Sequence, residues 1–122
     1  MRCYHNKYVE AEGNGRANAN SDTVDGWEIE DIGGNKIALW NPQHGKYLVA
    51  ESNKEINANS DNRGTRETFT VEAQQGGKIA MKTSFGYYLV AESGGRLRAD
   101  RTRVGGWEQF LPECLGKHKK RI

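Results

Sequence analysis

GKYLVAES (residues 45–52) and GYYLVAES (86–93) repeat six letters unchanged after their shared glycine, and NKYVEAEG (6–13) is a weaker echo. Tyr8, Tyr47 and Tyr88 of these phrases fall 39 and 41 residues apart, and Glu28, Glu67 and Glu108 fall at the same intervals. A fixed period of this length is the signature of a chain built from repeated supersecondary units. Around each phrase lie four short segments in which apolar and polar residues alternate. In the second unit these are KIALW (36–40), KYLVAES (46–52), EINANS (55–60) and TFTVEA (68–73). The third has KIAMKT (78–83), YYLVAES (87–93), RLRADR (96–101) and EQFLPE (108–113), and the first has MRCYH, KYVEAE, RANANS and WEIEDI. A period of two predicts strands with one buried face. The connectors GGN (33–35), SDN (60–62), QGG (75–77) and SGG (93–95) suit tight turns and positive φ. No segment shows a sustained helical period.

Three units of four strands predict an all-β chain of twelve short strands. A propeller needs more blades, and an open solenoid of three would expose unpaired edges. Closure into a small barrel capped by hairpins remains, which is the β-trefoil. One domain over residues 1–115 is expected, with repeats at about 1–33, 34–75 and 76–115 and a basic tail at 116–122. Alternation places Val9, Ala11, Ala17, Ala19, Ile29, Ile37, Leu39, Leu48, Ala50 and Ile56 in the core. Ala58, Phe69, Val71, Ile79, Met81, Leu89, Ala91, Leu97, Ala99 and Phe110 complete it. Deep burial of the larger side chains is worth about 1.5–3 kcal/mol each. The repeated phrase therefore answers first to a core that needs the same fitting three times.

The totals agree with one folded domain: 122 residues, 15 Gly, only 2 Pro, and 35% hydrophobic residues spread along the chain. No stretch approaches a membrane span, and no charged-then-apolar leader is encoded at Met1, so a cytoplasmic protein is expected. Two cysteines, Cys3 and Cys114, are too few for a disulfide scaffold. A closed barrel makes its first and last strands neighbours, so these two are expected near each other, as a geometrically conceivable disulfide or, by default, as two thiols. Net charge is +2, unevenly placed. Residues 1–35 carry three Lys or Arg against seven Asp or Glu, whereas residues 86–122 carry eight against four. Such asymmetry marks a face for a charged partner, or only solvated surface.

The phrases GKYLVAE and GYYLVAE, each followed by x-[IL]-x-A and then a loop ending [EW]-x-F, resemble the fascin repeat. QGGKIAMKT-x-x-GYYL (75–89) is also similar to the hisactophilin repeat. The resemblance spans about residues 1–114. It implies the β-trefoil fold of the actin-cross-linking superfamily and a filamentous actin partner. Hisactophilins are rich in histidine, whereas this chain has only His5, His44 and His118, so their proton switch is not expected. One small domain cross-links filaments only with two sites or by dimerising.

Arg96 and Arg98 flank inward Leu97 on one strand, and Arg101 and Arg103 follow. With Lys46 and Lys117 they form a candidate surface for actin or another anionic partner, or a solvated edge that resists strand pairing. The tail GKHKKRI (116–122) is either a polyanion grip or a loose end. Trp27 and Trp107 share the letters GWE; each stacks on a sugar or closes the barrel as core. Trp40 has no counterpart in the other units, and Asn41 beside it offers hydrogen bonds to a ligand. NANSD recurs at 18–22 and 57–61, where Asp22 and Asp61 bind sugar hydroxyls or cap turns. Lectin-like glycan binding through Asp22, Asp61, Trp27, Trp107, Trp40 and Asn41 is thus the alternative to actin. No catalytic constellation, metal spacing or phosphate loop is present, so neither an enzyme nor a cofactor is expected. Nor is sequence-specific nucleic acid.

Overall fold

The computed structural model describes residues 1–23 and 26–112. Ten strands run in chain order: β1 Tyr8–Ala11, β2 Ala17–Ser21, β3 Glu28–Gly33, β4 Lys36–Asn41, β5 Lys46–Ala50, β6 Ile56–Ser60, β7 Phe69–Ala73, β8 Ile79–Lys82, β9 Tyr88–Ala91 and β10 Leu97–Arg101. All pairings are antiparallel. β1 and β2 form one hairpin. The larger sheet runs β10-β9-β8-β7-β4-β5-β6, with β3 also paired to β4. Among the described residues the only helical pieces are single 3₁₀ turns at Thr65–Glu67, Gln75–Gly77 and Gly106–Glu108.

Ten strands form where the alternation predicts twelve. The remaining two segments, the first and the last, are reduced to single bridges. Arg2 pairs with Tyr8 and Leu111, and Phe110 pairs with Ile79. The expected meeting of the chain's first and last segments is nevertheless present. Arg2 N–H donates to Leu111 O at 2.9 Å and Leu111 N–H returns the bond to Arg2 O at 2.8 Å. Cys3 is buried; Cys114 and the tail lie outside the described residues.

Most of the predicted core is buried, with Ala17, Ile29 and Val71 at its margin. Alternation misses Ala38, Val49, Ala80 and Val90, which point away from that first face and are buried as well. The 3₁₀ turn Thr65–Glu67 packs on β5 and the turn Gly106–Glu108 on β9, so those strands are covered on their second face. Each turn is closed by its own glutamate. Gly64 N–H donates to Glu67 Oε1 at 2.8 Å, and Gly105 N–H to Glu108 Oε1 at 2.7 Å.

Three hairpins, β1–β2, β5–β6 and β9–β10, lock together end to end. Ala19 N–H donates to Gly95 O at 2.7 Å, Ala58 N–H to Gly15 O at 2.9 Å, and Ala99 N–H to Lys54 O at 3.0 Å. The bonds run cyclically, each hairpin donating to one neighbour and accepting from the other. The acceptors sit at equivalent turn positions, all with positive φ: 90° at Gly15, 74° at Lys54 and 91° at Gly95. Glycine suits this conformation because a Cβ there meets the backbone. Lys54 adopts it without being glycine, and its ammonium lies 4.9 Å from the Tyr87 ring centroid.

The strand register corrects one reading of the repeat. Ile29 faces Leu39 and Glu30 faces Ala38, just as Val71 faces Met81 and Glu72 faces Ala80. The matching hydroxyl bonds agree: Tyr47 donates to Glu30 at 2.9 Å and Tyr88 to Glu72 at 2.7 Å. Ile29 and Glu30 therefore correspond to residues 42 positions later, which makes Trp27 the equivalent of Phe69. Glu28 is accordingly an exposed strand residue, whereas Glu67 and Glu108 are buried turn closers. Trp27 packs on the core cluster where the other units use Phe69 and Phe110, and its indole N–H donates to Val9 O at 3.0 Å. Trp107 lies on a turn, 36% exposed. The same three letters, GWE, thus serve two different positions.

Two stability outcomes follow. Gly95→Ala forces a Cβ to 2.6 Å from Asn20 Cβ at a φ of +91°, and a loss of about 2 kcal/mol or more is expected in urea unfolding. Gly94→Ala, with open space around its Cβ, stays within about 0.5 kcal/mol of the parent. Trp27→Ala costs about 3 kcal/mol as a core truncation, against less than about 1 kcal/mol for Trp107→Ala; equal losses contradict the assignment of Trp27 to the core.

Candidate functional site

The third unit's arginines do not form one cationic surface. Leu97 is buried, and Arg96 on one side of it is exposed while Arg98 on the other is half-buried. Arg98 Nε donates to Asp100 Oδ2 at 3.1 Å. Arg101 sits among three carboxylates: Asp100 at 2.8 Å, Glu92 at 3.5 Å and Glu108 at 3.5 Å. Two of the four charges are therefore answered locally. Arg103 is exposed, with no ion pair among the described residues.

The remaining candidates are similarly redistributed. Lys46 forms an ion pair with Asp61, and Lys7 makes the same pair with Asp22. A proposed actin lysine and a proposed glycan aspartate thus occupy each other. Exposed pairs of this kind contribute little stability, but each lowers the charge its partner presents. Lys117 lies outside the described residues.

Asn41 is fully buried. Its side-chain oxygen accepts the His44 N–H at 3.1 Å and its carbonyl accepts the Gly45 N–H at 2.8 Å, so it closes the 41–45 turn rather than facing a ligand. Trp40 packs edge-on against Tyr47, with ring centroids 4.7 Å apart. Burial, and then the hydrogen bond to Glu30, raises the Tyr47 hydroxyl above its ordinary pKa. Glu30 also pairs with Arg63 at 2.9 Å. Trp27 is partly buried and packs against the core. Of the aromatic glycan candidates, Trp107 is the most open, Trp27 and Trp40 being half-buried. It lies 4.9 Å from the His5 ring, which stacks edge-on with exposed Tyr4.

Sequence reasoning missed Arg16 and Glu55. With Arg96 they border a cleft of about 340 Å³ where the three hairpins meet. The signal was present, because residues 16, 55 and 96 stand 39 and 41 apart, as the tyrosines do. It is hidden by chemistry: Arg, Glu and Arg share no letter, so only their register marks them as equivalent.

Among the described residues, no helix is long and apolar enough to cross a membrane. No curated protein matches the chain significantly. The Fascin domain family model matches residues 5–112, nearly the whole described chain. With its all-β architecture, interlocked hairpins and repeated Gly-x-Tyr-Leu-Val-Ala-Glu phrase, the chain belongs to the fascin family.

Proposed function

We propose that this chain is a non-catalytic, cytoplasmic module that binds filamentous actin. Membership of the fascin family, which is associated with actin binding, carries the reading. We read its fold as a β-trefoil of three units, with the first and last of twelve strand positions shortened to bridges. The contact uses charges that the protein leaves unanswered. Arg96 and Arg103 fit that description on the third unit; Arg98 and Arg101 orient the strand end and present less charge. Exposed charges act over about 8 Å at physiological ionic strength, so binding weakens as salt rises. One copy binds a filament, and cross-linking adds a second site or a dimer. The glycan reading has less support: Trp27 packs partly buried against the core, Asn41 is buried, and Asp22 and Asp61 are paired with lysines.

Co-sedimentation with filamentous actin at low and physiological salt tests the proposal. The native chain pellets with filaments, less so at higher salt. Arg96→Ala/Arg103→Ala weakens binding about tenfold, from two charges of about 0.7 kcal/mol each. Arg98→Ala changes it by less than about twofold, because Asp100 already holds that guanidinium. Absence of pelleting at both salts, or equal losses in the two variants, overturns this reading.

A further inference from the structure

The cleft between the three hairpins carries an arrangement of which the actin reading uses only Arg96. Its walls are held by the hairpin ring and by bridges of Arg16 to Asn57, Asn18 to Arg96 and Glu55 to Arg98. The three rim residues, Arg16, Glu55 and Arg96, occupy equivalent positions and bring two guanidinium groups and one carboxylate to the opening. No ion pair within 4.0 Å joins them to each other or to any other described residue. Elsewhere, Arg63, Arg66, Arg98 and Arg101 each find a carboxylate. Opposite charges thus share one cleft without pairing across it.

The amide donors between them are already committed: Asn18 donates to Glu10 and Glu12, and Asn57 donates to Glu51 at 3.1 Å. The charged groups left open in the cleft are those of the rim. Arg16 and Arg96 are balanced by Glu55 and by Glu12, which also lines the cleft. A dianion such as phosphate gains two guanidinium groups there but meets two carboxylates. A molecule with separated charges and no net charge meets both signs favourably. Guanidinium groups suit a carboxylate, and a carboxylate suits an ammonium.

We propose that this cleft binds a small zwitterion, a free α-amino acid, with its carboxylate on Arg16 and Arg96 and its ammonium on Glu55. The site shares Arg96 with the proposed actin surface, so Arg16 and Glu55, which that surface does not use, are the residues that probe it separately.

Amide chemical shifts of the full 122-residue chain, followed during titration, test it. The probes are L-glutamine, N-acetyl-L-glutamine, which lacks the ammonium, and inorganic phosphate. L-glutamine shifts the amides of Arg16, Glu55 and Arg96 saturably, and the acetylated compound binds at least about fivefold more weakly. Glu55→Gln weakens L-glutamine by about fivefold and leaves the acetylated compound unchanged. Arg16→Ala weakens both, with the remaining spectrum native-like. Absence of saturable shifts with L-glutamine overturns the proposal. So does equal binding of phosphate and L-glutamine with no effect of Glu55→Gln, since that describes a plain anion site.

Discussion

Three backbone hydrogen bonds, from Ala19 to Gly95, Ala58 to Gly15 and Ala99 to Lys54, hold the hairpins in a ring. Each contributes only about 0.5–1.5 kcal/mol net, yet leaving one unmade at a buried alanine costs the full desolvation of its N–H. Ala19, Ala58 and Ala99 are all buried, so the ring is an all-or-none arrangement. Its acceptors sit at turn positions with positive φ, and at one of them Asn20 lies so close to Gly95 that a Cβ has no room. It also joins residues far apart in sequence, which makes folding depend on non-local contacts. The cleft, with its rim of Arg16, Glu55 and Arg96, follows from the same geometry.

The fold was legible because core positions repeat as letters. Tyr8, Tyr47 and Tyr88 mark the period, and the Leu-Val-Ala run marks the buried strands. The limits of that reading have physical causes. Alternation assigns one buried face per strand and cannot foresee that turns cover the other, as over Val49 and Val90. Identical letters misled at GWE: the first unit is shorter between its turn and β3, so Trp27 slides into the slot of Phe69 and Glu28 leaves the slot of Glu67. Only strand register and the Tyr47–Glu30 and Tyr88–Glu72 bonds reveal the offset.

The candidate site was less legible, because charge counting ignores pairing. A run with Arg96, Arg98, Arg101 and Arg103 reads as a basic patch. In three dimensions Glu92, Asp100 and Glu108 converge on Arg101, and Asp100 also takes Arg98. These acids lie close in sequence, between residues 92 and 108, but just past the end of β9, on β10 and on the 3₁₀ turn, and only the fold shows that they converge on one arginine. The protein thereby separates two classes of charge. Paired residues such as Lys46–Asp61 and Arg63–Glu30 brace loops and strands. Among the described residues, Arg16, Glu55, Arg96 and Arg103 form no such pair.

Native-state hydrogen exchange at Ala19, Ala58 and Ala99 tests the hairpin ring most directly. The account predicts that all three amides exchange only through global unfolding, with one common free energy that follows the denaturant dependence of the whole domain. Exchange of any one of them by local opening, while strand amides such as those of β7 and β8 stay protected, would contradict the claim that the ring holds the fold together.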